Sequence, residues 1–152
     1  MGRELQRPVC DGTTINRYTP VQVTGLTGIL AIAASAWHSV ALKSDCTVWA
    51  WGGNSNGQLG DGTMIDRYTP VQVTGLTGIL AIAASAWHSV ALKSDGTVLE
   101  HGDLTSTASW AMAPPPPASL RSVANLSNII AITAGSANVG AEKRRHPLGV
   151  GS

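Results

Sequence analysis

The sequence predicts an all-β chain built from repeated four-stranded antiparallel units, and three observations carry that prediction. First, residues 17–45, RYTPVQVTGLTGILAIAASAWHSVALKSD, recur letter for letter at residues 67–95, an offset of 50. Second, each copy holds a short apolar run followed by an alternating one. Third, the runs are punctuated by hairpin and glycine-rich turn signals. A period near 50 suits a propeller blade or a solenoid unit.

The strands follow in chain order. Ile79 to Ala84 is apolar throughout, too short for an independent helix and suited to a buried strand. His88 to Lys93 alternates, with Val90 and Leu92 on one face and Ser89 and Ala91 on the other. Ser94-Asp95-Gly96-Thr97 is an Asp-Gly hairpin turn. In the first copy Thr47-Val48-Trp49-Ala50-Trp51 is the returning strand, with both indoles on one face. Asn54 to Gly62 is glycine-rich and reads as a long turn. Pro70-Val71-Gln72-Val73 is short, and its leading proline suits the start of an edge strand. Four strands per repeat is the count of a propeller blade. Residues 123–138 hold a fainter third copy, with Val123 to Ile132 lying over Val73 to Ile82. The expected fold is therefore an incomplete array of two to three propeller blades.

The segment VWAWGGNSNGQLGDGT, then RYTPVQV, then ILAIAASAWHSVALKSDGTV resembles the regulator-of-chromosome-condensation repeat family. The resemblance is strong over residues 11–98 and weak over 123–137. It implies a seven-bladed β-propeller whose members act mainly as protein-interaction platforms. One member is an exchange factor for a small nuclear GTPase, and a bacterial relative inhibits β-lactamases. No residue here can be matched to an exchange site from the repeat alone. Seven blades of this period need about 350 residues, so the chain reads as a piece of a propeller.

Three segments depart from the pattern: 1–10, 99–122 and 139–152. Each reads as a displaced-frame version of the same repeat. One codon choice for Thr107 to Pro115 reads, from its third base, as Gly-Gln-Leu-Gly-Asp-Gly-Thr, the motif at Gly57 to Thr63. Trp110 and Met112 have one codon each, and both fit. Residues 1–10 and 139–152 yield pieces of the repeat in the same way. On this reading Met1 is an accidental start and the parent extends both ways. The basic run Lys143-Arg144-Arg145-His146 is then an accident of frame.

Composition narrows function without naming it. Hydrophobic residues make up 43% and charged residues only 12%, against about 25% in an average domain. The net charge is +1, and residues 11–98 alone carry four basic and five acidic side chains. That balance argues against nucleic-acid binding through phosphate neutralisation and against a polybasic membrane anchor. The apolar stretches Gly28 to Ala34 and Gly78 to Ala84 fall far short of the ~20 residues that span a bilayer. Met1 to Pro20 lacks the apolar centre of a signal peptide. The two cysteines, Cys10 and Cys46, are too few for a disulfide scaffold.

No catalytic constellation and no cofactor motif is visible, so no enzyme is expected. His, Cys and Asp are not grouped at zinc spacing. Asn54-Ser55-Asn56-Gly57 with Asp61 lacks the terminal glutamate of a calcium loop. The glycines at 52, 53, 57 and 60 precede no Lys-Ser/Thr, so they serve turns rather than phosphate. Ser39 and Ser89 follow His38 and His88 directly, and adjacent strand residues point to opposite faces. Both histidines suit a hydrogen-bonding role inside the blade. Trp37 and Trp87 stand where the apolar strand ends, at a rim loop, and tryptophan is enriched in interface hot spots. Trp37, His38, Trp87 and His88 are therefore the candidate partner-binding residues.

The function expected from sequence is a protein–protein interaction module with an unidentified protein partner, no nucleic acid and no membrane. The alternatives are a non-functional fragment, or a structural array that needs other chains to close. Open blade edges favour self-association. Cys46 replaces the glycine seen at Gly96, where the hairpin wants positive φ, at a cost of roughly 1 kcal/mol. Reading the flanking DNA in all frames tests the displaced segments. Repeat-like sequence continuing in the shifted frames is the expected result, and an intact native frame across all three segments would overturn it.

Overall fold

The computed structural model describes residue 15 and residues 17–102, 121–123, 129–134 and 139–143. Every regular element among them is a β-strand. Blade 1 comprises β1 (Ile29–Ala34), β2 (His38–Lys43), β3 (Val48–Gly52) and β4 (Arg67–Gln72). Blade 2 comprises β5 (Ile79–Ala84), β6 (His88–Lys93), β7 (Val98–Gly102) and β8 (Arg121–Ser122). A third sheet holds β9 (Ile129–Ala134) and β10 (Val139–Lys143). Each sheet is antiparallel and keeps chain order, β1-β2-β3-β4 and β5-β6-β7-β8, as a meander joined by short turns must.

The two blades share their irregularities as well as their strands. Ile29 pairs with Lys43 but Ala31 with Leu42, and the same slip recurs at Ile79 and Ala81. This bulge turns Leu30 and Leu80 out to solvent. β4 begins at Arg67, three residues before the proline expected to open it. Gly52 pairs with Arg67 while Ala50 pairs with Val71, so Pro70 sits inside an irregular stretch of an edge strand. There its missing N–H costs no ladder bond.

The core lies between blades. The rear face of blade 1 offers Val40, Leu42, Val48 and Ala50, and the front face of blade 2 answers with Ile79, Ala91 and the half-buried Ile82. Leu59, Val73 and Leu76 close the layer. The next joint repeats the scheme, with Val90, Leu92 and Val98 packed on Ile129. β6 is therefore buried on both faces. A strand pressed between two neighbouring sheets has no solvent side. The front of blade 1 shows the contrast: Ile32 is 63% exposed, while its counterpart Ile82 packs against the core.

The long turn after β3 is held by a polar network. Buried Asn54 donates through Nδ2 to Asp61 Oδ1 (3.0 Å) and to the carbonyls of Thr63 and Ile65. Its Oδ1 accepts from the Leu59 N–H, and its own N–H donates to Asp66. Arg67 Nε donates to Asp61 Oδ2 at 2.7 Å. Burial alone would raise the Asp61 pKa, but hydrogen bonds from Thr63 and Arg67 outweigh it and hold the carboxyl below its usual value.

Cys46 occupies the position expected to be strained. Its φ is 62°, matching Gly96 at 82° in the equivalent turn, and its side chain is exposed and free. A non-glycine residue there pays for a left-handed backbone with no contact to offset it. Replacing Cys46 by Gly should raise stability by about 1 kcal/mol, read as a higher midpoint in chemical denaturation. Gly96→Cys should lower it by a similar amount.

Candidate functional site

The four candidate residues lie in the turns that join the first and second strands of each blade. In blade 1 Ser35 shapes that turn. Its hydroxyl oxygen accepts from the N–H groups of Trp37 (3.2 Å) and His38 (3.1 Å), and its own N–H donates to the His38 carbonyl. Ser85 does the same for Trp87 and His88. The end of the third strand comes in close behind the turn. A Cβ on Gly52 (φ 110°) would stand 2.5 Å from the Trp37 carbonyl oxygen, and one on Gly102 (φ 117°) would collide with that of Trp87. Only glycine fits both the space and the backbone.

The structure separates the four residues into two layers. The Trp37 and Trp87 rings stack across the joint, with centroids 6.0 Å apart and planes at 27°. Trp87 is 41% exposed, and Trp37 is half-buried. The imidazoles lie beneath, with His38 2% and His88 1% exposed. Neither ring is accessible to a partner, so the two histidines support the indoles rather than stand beside them. Trp51, with the half-buried Trp49, lies on the front of blade 1, where Trp51 packs on Val23, Leu26 and Ile29.

Ser89, considered in the sequence only as a neighbour of His88, ties the blades together. His38 Nε2 lies 2.6 Å from Ser89 Oγ in the next blade, and Ser89 Oγ donates to the Gln58 carbonyl at 2.9 Å. The serine proton is thus committed to Gln58, so His38 Nε2–H is the donor. Nδ1 is then an acceptor, 2.9 Å from Ser35 Oγ, whose hydroxyl also reaches the His38 carbonyl at 3.1 Å; the tautomer is assigned from the network. The reading that a neighbouring His and Ser diverge holds within one strand; the contact is made between strands of different blades. The signal available in the sequence was the recurrence of Ser35, His38 and Ser39 as Ser85, His88 and Ser89.

Three histidines gather at this joint. Burial first, then His101 and His88, lower the His38 pKa to about 3. Burial lowers that of His101 to about 4, against the opposing pull of the Gln58 and Gly57 backbone and of Asp61. Among the described residues no three His, Cys, Asp or Glu side chains converge to hold a metal.

Stacked antiparallel meanders whose cores lie between sheets, linked side to side through their second strands and one long turn, define the chain as a β-propeller fragment. The sequence comparisons give the family. Residues 45–92 match the Regulator of chromosome condensation (RCC1) repeat, and residues 29–58 match a second model of the same repeat. Together the two matches span residues 29–92, so that stretch of the chain is built of RCC1 repeats. Among solved structures it is similar to human WBSCR16, at 17% identity and a TM-score of 0.68, over 79% of this chain and 32% of that one. It is similar to yeast RCC1 (Prp20) in complex with Kap60, at 20% identity and 0.62, over 78% and 31%. Prp20p from Saccharomyces cerevisiae, described with its binding to Gsp1p and histones, aligns at 24% identity and 0.59, over 79% and 32%. The chain thus spans about a third of each structure. A search of curated proteins finds no match.

The buried imidazoles set a pH dependence. Their folded pKa values lie below the ordinary 6.5, so the folded state resists protonation that the unfolded chain accepts. Stability is complete above about pH 6.5 and falls as pH drops toward the folded values. The loss should approach roughly 2 kcal/mol per histidine between pH 6.5 and about pH 5. Denaturation midpoints measured across that range should decline steadily, and His38→Gln should flatten the decline.

Proposed function

We propose that the chain is a protein–protein interaction module whose contact surface is the stacked pair Trp37–Trp87. The observation that carries this reading is the placement of two indoles, side by side and partly open, at one end of adjoining blades. Tryptophan supplies large contact area at low entropic cost, and Ser35 and Ser85 hold the backbone of the turns that carry both indoles. The partner class draws support from Prp20, which is seen bound to Kap60 and described as binding Gsp1p and histones. The identity of this chain's partner does not follow from those names.

The reading is non-enzymatic. The Ser–His contact between blades, His38 with Ser89, has the wrong polarity for a nucleophile and its base, because the serine proton faces a carbonyl. Both side chains are also buried. A second reading, an array completed by other chains, is favoured by one observation: the exposed Ile32 on the front of blade 1.

Partner capture from cell extract by the immobilised chain tests the surface. Changing Trp37 and Trp87 together to Ala should cut capture of the bound protein by roughly tenfold or more, as loss of an interface hot spot does. Unchanged capture by a variant with an unaltered melting midpoint would remove the indole surface as the contact.

A further inference from the structure

The long turn after β3 is braced from within and seated on blade 2. Asn54 ties Leu59, Asp61, Thr63 and Ile65 together, and Arg67 holds Asp61, so residues 54–67 form one body. Ser89 Oγ donates to the Gln58 carbonyl at 2.9 Å, and Leu59 is buried with Val73, Leu76, Ile79 and Ala91. His101 on β7 lies beneath Gly60 and hydrogen-bonds the backbone of Gln58 and Gly57. A Cβ on Gly60 would stand 2.8 Å from the ring's Cδ2, Cε1 and Nε2, so the Nε2 edge faces the turn. Nδ1 is buried and has no hydrogen-bond partner among the described residues.

That nitrogen sets His101 apart from the other two imidazoles. His38 Nδ1 lies 2.9 Å from Ser35 Oγ and His88 Nδ1 lies 2.6 Å from Ser85 Oγ, so a proton on either meets a hydroxyl oxygen. A second proton on His101 puts an N–H and a charge where nothing accepts them. The titratable groups that face the ring are His88 on β6, His38 on β2 and Asp61 in the turn. The two imidazoles oppose a charge there. Asp61 favours one, but its oxygens already accept from Asn54, Thr63 and Arg67. Glu100, the preceding residue of β7, points to the other face of the sheet.

We propose that the long turn is an acid-released latch on blade 2, and that protonation of His101 releases it. A proton at Nδ1 has no acceptor while the turn is seated and gains water once the turn lifts. The turn leaves as a unit, because Asn54 holds its interior. Leu59 then comes out of the joint, and Ser89 loses the Gln58 carbonyl. Val40, Leu42 and Val48 stay packed on Ile79 and Ala91, so the blades remain joined. Burial holds the seated ring at about 4, against 6.5 for a hydrated one. The seated turn is therefore favoured above about pH 6.5 and loses ground as pH falls toward 4. This release is local and precedes the global loss of stability.

The test is hydrogen–deuterium exchange of the 152-residue chain, read by mass spectrometry. Exchange over residues 54–63 is divided by exchange over residues 88–93 at the same pH, which cancels the intrinsic pH dependence of the chemistry. The ratio should rise about twentyfold between pH 7 and pH 5, the factor that follows from ring values of 6.5 and about 4. His38→Gln should keep the rise. His101→Gln, whose amide still donates to the turn, should cut it to less than about threefold. An unchanged rise in a folded His101→Gln protein, or its loss in a folded His38→Gln protein, would overturn the assignment. If His101→Gln fails to fold, the parent chain still decides: a ratio that stays constant with pH means the joint opens as a whole and refutes the latch.

Discussion

The structure depends on one contact, the Ser89 hydroxyl held between His38 and the Gln58 carbonyl. A four-stranded blade of this size has two apolar faces and cannot bury either alone. Packing Val40, Leu42 and Val48 on Ile79 and Ala91 supplies the attraction, but apolar contact is non-directional and would tolerate sliding. The hydroxyl fixes the slide. It meets the second strand of the previous blade and the long turn that follows its third strand, so two distant segments agree on one position. The same bond fixes the His38 tautomer, which allows Ser35 to hold the turn that carries Trp37.

Much of the fold was legible because it was written twice. The exact recurrence of residues 17–45 gave the period, and the apolar and alternating runs gave the first two strands of each blade. The Asp-Gly turn gave the hairpin, and the strained Cys46 was visible as a misfit in one copy. The start of β4 was missed because Arg67 pairs with Gly52 across an irregularity that local pattern does not announce. The alternation of β6 gave its two faces, while the burial of both is decided by the neighbouring blades.

The site was half legible. Tryptophan at a strand end suggested a surface, and the stacking of Trp37 on Trp87 follows from identical blades set side by side. The role of the histidines was less accessible, because the partner of His38 lies 51 positions away in another sheet. No local spacing rule relates them. Cys10 and the basic run at Arg144 to His146 fall outside the described residues. The polar residues of the Asn54 turn invited comparison with an ion loop. Their donors and acceptors instead satisfy one another, with Asn54 alone linking Leu59, Asp61, Thr63 and Ile65.

The third strand shows how near-identical neighbours are told apart. Between residues 17–52 and 67–102 the copies differ only at Cys46/Gly96, Trp49/Leu99, Ala50/Glu100 and Trp51/His101. Three of these four differences fall on β3 and β7. Everywhere else a segment meets the same side chains whichever blade it joins, so a misplaced hairpin gains the same local contacts as a correct one. The third strand therefore works as an address. Gly60 lies against an imidazole and not an indole, and a rearranged order of blades would put the bulkier ring beneath that turn. Blade order in this chain is written in a single strand, and evolution could make it ambiguous with three substitutions.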